Sequence, residues 1–156
     1  MYCLEGTGAI SHMSVRNNIE FFHEPSCFAA LCVLGATPEQ NQARVIEGPV
    51  PDWKYFGRPD SGNGSPGTTY GLPRFKECSF QFRFPFATID LKDSSLPIDV
   101  QILGWSPFTP GNADSSSLPM SALEYRFTNR SNKTQKAIFA AIIGISVLRR
   151  RLKTFI

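Results

Sequence analysis

From Phe80 to Phe127, apolar side chains return at every second position in several separate runs. Phe80, Phe82, Phe84 and Phe86 alternate with Gln81, Arg83 and Pro85. Ile98, Val100 and Ile102 alternate with Asp99 and Gln101, and Leu123, Tyr125 and Phe127 alternate with Glu124 and Arg126. A period of two places each set on one face of a β-strand. The runs are parted by turn-formers, Asp93-Ser94-Ser95 among them, and Thr128 to Thr134 forms another polar joint. Earlier, Cys27 to Leu34 is an unbroken apolar run that predicts a buried strand. The polar turn Thr37 to Gln42 follows it, and Ala43 to Glu47 predicts a short strand. Beyond Pro85 the alternation changes phase, with Ile89 and Leu91 now apolar, so a bulge between Pro85 and Thr88 is expected. The pattern predicts an all-β fold, an antiparallel β-sandwich of two sheets packed face to face.

The 12 Gly and 12 Pro suit strands joined by turns rather than helices. With 13 Phe against 2 Trp and 4 Tyr, phenylalanine is the expected core filler. The 42% apolar and 19% charged residues are globular values, and 156 residues make about one domain. The net charge of +3 hides an asymmetry. Eight Lys or Arg and no acid lie from Arg126 onward, so the first 125 residues carry a net charge of −5. That acidic body, without interleaved bases and aromatics, is not a nucleic-acid surface.

Many of the glycines gather in one place. Pro51 to Phe75 reads PDWKYFGRPDSGNGSPGTTYGLPRF, with Trp53, Tyr55, Phe56, Tyr70 and Phe75 spread among Gly57, Gly62, Gly64, Gly67 and Gly71. Glycine admits positive φ and proline fixes φ, so this is a shaped loop. It resembles the D-W-x-x-F-x-R-P-x-x-G-x-G stretch in the N-terminal domain of glycoside hydrolase family 116, the β-glucosidases and non-lysosomal glucosylceramidases. Asp52, Trp53, Phe56, Arg58, Pro59, Gly62 and Gly64 carry the match. Gly6-Thr7-Gly8-Ala9-Ile10-Ser11 is similar to the family's G-T-G-x-I-S element. Trp105 to Pro110, followed by Asp114 and Ser116-Ser117-Leu118-Pro119, is similar to its S-P-F-x-P…D-x-S-S-L-P stretch. The resemblance ends near Lys136, and Cys3-Leu4-Glu5 stands where the family has more glycine.

The resemblance implies a partial, non-catalytic N-terminal β-sandwich over residues 1–136, with 137–156 an apolar then basic tail. It places the nucleophile and acid/base on a separate (α/α)6 barrel, which would be the partner, and makes the chain a fragment inactive on its own. Catalytic residues are therefore not assigned. His12, Trp53, Arg58 and Asp60 are the candidate contacts to a β-glucoside. Each has a plainer reading. Loop aspartates such as Asp52, Asp60 and Asp114 ordinarily bond their own turns. His12 reads equally as a loop histidine satisfied locally, and a tryptophan in a Gly/Pro loop is as readily its hydrophobic anchor as a sugar platform.

The four cysteines form no Cys-x-x-Cys pair, and with His12 and His23 they complete no zinc set, so no metal or other cofactor is expected. Cys27 and Cys32 read as small buried hydrophobes with free thiols. Ala137 to Leu148 is an apolar run of 12 residues, below the roughly 17 needed to span a bilayer, followed by Arg149-Arg150-Arg151. A buried strand from Lys136 to about Ile143 joined to a non-native tail is the expectation, and on length no membrane partner is expected. Two other functions remain open: an independent carbohydrate-binding sandwich reading sugars through Trp53 and Trp105, and a small membrane-tethered protein.

Overall fold

The computed structural model describes residues 2–15, 18–21, 27–50, 72–118 and 120–143, with residues 2, 11–15, 18–21 and 143 described by backbone alone. Strands β1 (Tyr2–Leu4), β2 (Ile10–Val15) and β3 (Asn18–Phe21) form one sheet in that order. Strands β4 (Cys27–Leu34), β5 (Gln42–Val45) and β10 (Lys136–Ile143) form a second, in the order β10-β4-β5. Strands β6 (Glu77–Arg83), β7 (Phe86–Lys92), β8 (Ile98–Trp105) and β9 (Ala122–Asn129) form a four-stranded meander. Every pairing within these sheets is antiparallel. Helical structure among the described residues amounts to a 3₁₀ turn at Pro38–Gln40 and the single turn α1 (Ala113–Ser116).

The fold is the all-β sandwich that the alternation predicts. On β4, Cys27, Ala29, Leu31 and Val33 are buried while their alternating neighbours are half-buried. Ala29, Leu31 and Val33 share one apolar cluster with Ile89 and Leu91 of β7 and Ile98, Val100 and Ile102 of β8. The second sheet and the meander therefore bury facing rows of branched side chains between them. Lys136–Ile143 is a strand, as expected, but not a buried one: it is an edge strand with mostly exposed side chains, paired with β4 at all eight positions from Lys136↔Leu34 to Ile143↔Cys27. No helix among the described residues is long and apolar enough to cross a membrane.

Three further expectations are corrected. The phase change near Pro85 is not a bulge but the end of a strand. Phe84 and Pro85, joined by a cis peptide, form a two-residue turn closed by the Arg83↔Phe86 pair. Phe80 and Phe82 lie opposite Ile89 and Ala87 and share their face, while Phe86 falls on the other. Phenylalanine is also not the core filler. Among the described residues, Phe75 is the one phenylalanine in the buried cluster, whereas Phe80, Phe82, Phe84, Phe86, Phe108, Phe127 and Phe139 are exposed. Aliphatic side chains make up most of the described core, and the phenylalanines of β6 stand on the edge strand of the meander. Lastly, the strand expected over 43–47 ends at Val45. There the backbone begins to bond elsewhere: Val45 N–H to Pro73 O at 2.8 Å, and Gly48 N–H to Thr7 O at 2.7 Å.

Thr7 belongs to the turn Gly6-Thr7-Gly8 between β1 and β2, closed by Gly8 N–H to Glu5 O at 2.9 Å. Gly8 has φ +92°, and a Cβ there would lie 2.8 Å from Ile102 Cδ1. The glycine thus lets backbone rest directly on the core face of β8. Gly8→Ala is expected to destabilise the fold by about 1–3 kcal/mol through its backbone conformation alone. A thermal melt equal to wild type would show that the turn relaxes at no cost.

Candidate functional site

The candidate residues divide by position. Trp53, Arg58 and Asp60, like Asp52, lie outside the described residues. His12 is not in a loop: it sits on β2, the middle strand of its sheet, paired with Cys3 on one side and Phe21 on the other. What the structure does describe is how the Gly/Pro-rich stretch is held. Its two ends meet, with Val45 bridged to Arg74 in parallel register and Phe75 N–H donating to Glu47 O at 3.0 Å. Arg74 Nε donates to Glu47 Oε2 at 3.4 Å, with both side chains nearly buried. The chain leading into the Gly/Pro-rich stretch is thereby fixed against the chain leading out of it.

The second motif, Ser106 to Pro119, follows β8 and bonds largely to itself. Asn112 caps α1, its side chain accepting from Ser115 N–H at 2.9 Å. The Ser116 hydroxyl accepts from Thr109 N–H at 3.0 Å and lies within donating distance of Asn112 O, while Ser117 Oγ donates to Ala113 O at 2.6 Å. The serines of this motif are loop staples rather than nucleophiles, and Asp114 is exposed on the helical turn. Phe108 packs edge-on against Phe84 at 4.8 Å between ring centroids, which ties the loop to the β6–β7 turn. Trp105 pairs with Phe86 on one side and Ala122 on the other, half-buried at the same end of the meander.

Several of the other described carboxylates are engaged structurally. Asp93, fully buried, accepts Arg44 Nε at 2.9 Å on Oδ2, and Ser95 N–H and Oγ at 2.9 and 2.6 Å on Oδ1. Burial pushes its carboxyl up, but the Ser95 hydrogen bonds and the Arg44 guanidinium outweigh burial and hold it below the ordinary aspartate range. Asp90 accepts from Gln101 Nε2 at 2.7 Å, and Glu124 pairs with Arg126 at 2.6 Å on the exposed face. Arg130 Nε lies 2.8 Å from Asp99 Oδ1, close enough for charge pairing but without an aligned hydrogen bond, so that oxygen has no donor. Burial, with Cys27 and Glu47 nearby, pushes the Tyr125 hydroxyl up to about 12. It is therefore a neutral donor at physiological pH, not a base.

All four cysteines are free; Cys27 is buried as expected, whereas Cys32, expected to be buried, is half-buried, and Cys78 is exposed. Among the described residues no group of three or more His, Cys, Asp or Glu could hold a metal ion. Asn129, in the first of two glycosylation-like sequons, uses its side chain on its own turn, donating to Lys133 O and accepting from Ser131. Sequence reasoning missed the Asp93–Arg44 clamp, whose partners stand 49 residues apart with no local signal.

A comparison with curated proteins gives no match. Residues 1–144 match the family described as beta-glucosidase 2, glycosyl-hydrolase family 116 N-term. The match takes in all ten strands, and it runs past the point near Lys136 where the motif resemblance stops. With the G-T-G turn packed on the core, the clamped Gly/Pro stretch and the stapled Ser-Ser-Leu-Pro loop within that span, the chain belongs to the N-terminal domain family of glycosyl hydrolase family 116.

Proposed function

We propose that this domain is non-catalytic and works by packing on a catalytic (α/α)6 barrel and shaping the entrance to its sugar cleft. The observation that carries this reading is the apolar surface left uncovered on the sandwich. Phe80 and Phe82 extend the core face of the meander beyond its cover, and Ile138 and Ile142 stand exposed on the far side of β4's sheet. A self-sufficient sugar-binding sandwich would be closed, with one aromatic platform. Uncovered surface on two flanks is instead what a domain leaves when a larger partner completes it. His12, Trp53, Arg58 and Asp60 remain the proposed contacts to a β-glucoside.

Glycosidic hydrolysis requires two carboxylates at a fixed separation of roughly 5–10 Å. The purified chain is therefore expected to leave an aryl β-glucoside unhydrolysed above background. Mixed with a family 116 barrel domain lacking its own N-terminal domain, it should form a complex with greater activity than the barrel alone. Turnover by the chain alone, abolished by Asp→Asn change at Asp52, Asp60 or Asp114, would overturn the reading.

A further inference from the structure

Strand β6 is an edge of the meander, bonded to β7 on one side and to no strand among the described residues on the other. All seven of its residues are exposed. Proteins ordinarily guard such an edge with proline, a bulge or an inward-pointing charge. Glu77–Arg83 has no Gly or Pro, and its register with β7 runs unshifted through all seven pairs. Its charges, Glu77 and Arg83, lie at its two ends, on the face away from the core. The closing pair fixes which backbone groups lie open. Arg83 and Phe86 flank a two-residue turn, so they pair by exchanging both of their backbone hydrogen bonds. Alternation then commits Gln81, Ser79 and Glu77 to β7. It leaves the N–H and C=O of Cys78, Phe80 and Phe82 facing outward.

We propose that β6 pairs with β6 of a second copy of this chain, antiparallel about a two-fold axis at Phe80, joining two meanders into one continuous sheet. Self-complementarity points to this occupant. With the axis at Phe80, the open backbone groups of Phe80 meet those of Phe80 in the other copy, and Cys78 meets Phe82. On the outer face, Glu77 of each copy stands directly opposite Arg83 of the other, so symmetry supplies the attractive pair twice. A move of one residue sets open groups against committed ones. A move of two keeps the hydrogen bonding but loses the match: one direction sets Arg83 against buried Phe75, the other sets Glu77 against Pro85. One strand from each side buries less than a standard interface, so the dimer is weak, with Kd on the order of 100 µM. At the dilution of an ordinary unfolding experiment the chain is monomeric. The pairing goes beyond the barrel reading and needs no barrel, and it leaves the flank of Ile138 and Ile142, on the other sheet, free for one.

The test is sedimentation velocity of the full chain from about 5 to about 500 µM, in reductant so that no thiol cross-link contributes. Wild type is expected to pass from monomer to dimer across that range and to stop at two, since the pairing uses up the one β6 edge of each copy. Glu77→Arg and Arg83→Glu, both at exposed positions, each turn the two attractive pairs into like-charge pairs and should weaken association about tenfold or more. Mixed in equal amounts, the two variants restore both attractive pairs, and so does the double variant Glu77→Arg with Arg83→Glu. The mixture and the double variant should therefore dimerise as wild type does. Circular dichroism and a thermal melt confirm folding. Arg83→Glu, opposite uncharged Phe86, serves alone if Glu77→Arg, opposite Lys92, does not fold. A wild type that is monomeric at the top of the range, or that grows past the dimer, would overturn the proposal. Undiminished association in the single variants, or a mixture that stays monomeric, would do the same. None of these results bears on the barrel reading, which stands or falls on the mixed-domain assay.

Discussion

Phe75→Ala is expected to destabilise the chain by about 3–5 kcal/mol, while Phe82→Ala shifts stability by no more than about 0.5 kcal/mol. The residues are the same type, and their environments decide the outcome. Phe75 is 1% exposed and packs in the cluster of Leu31, Ile46, Ile89 and Val100, so truncation leaves a cavity that rigid neighbours cannot fill. Its backbone N–H also holds Glu47 O, and any shift would loosen the closure of the Gly/Pro-rich stretch. Phe82 is 66% exposed on edge strand β6, and its loss removes surface already in contact with water. Urea unfolding of the two variants is the check. Equal midpoints would mean that Phe82 is covered in solution or that the core collapses onto the Phe75 site.

Asp93→Ala is expected to be comparably severe, costing about 3–5 kcal/mol, because it strips one partner from a buried charge pair. Arg44 would keep its charge with its side chain mostly buried, and Ser95 N–H would lose its acceptor. Lys76, 3.9 Å from Asp93 but largely exposed, can turn to solvent. Asp93→Asn keeps an acceptor for Ser95 and should cost less. The pH dependence has a definite sign. The folded carboxyl ionises below its unfolded value, so its contribution is present above about pH 4 and is lost as pH falls through the folded value. Wild type should lose stability in acid more steeply than Asp93→Ala. Parallel pH profiles would show that the clamp is electrostatically neutral.

Strands were legible wherever the signal was local. Cys27–Leu34 and Lys136–Ile143 were found at their ends, and the alternations Ile98-Val100-Ile102 and Leu123-Tyr125-Phe127 lie within β8 and β9. A change of phase, by contrast, arises equally from a bulge and from a two-residue turn. Phe84-Pro85 lacks the Asn-Gly or Asp-Gly signature that would have separated them. Nor can alternation say which strand of a sheet is covered. Phe80 and Ile89 share one face of the meander, yet Ile89, on inner strand β7, is fully buried and Phe80, on edge strand β6, is not. The candidate site was legible as motif but not as geometry. Gly8 and Ser116 explain themselves once their neighbours are seen, and those neighbours, Ile102 and Thr109, could not be named from spacing.

The pairing of β10 with β4 has a consequence for the making of the protein. Lys136 meets Leu34 across about a hundred intervening residues, so the central strand of its sheet gains its second neighbour only after those residues have been made. At roughly 5–20 residues per second, a ribosome leaves the apolar run Cys27–Leu34 half-bordered for on the order of 5–20 seconds. Over that interval Phe28, Leu31 and Val33 lie on an open strand beside whatever else is being synthesised nearby. Cellular yield should therefore follow the supply of holdase chaperones more closely than it follows the equilibrium stability of the finished sandwich.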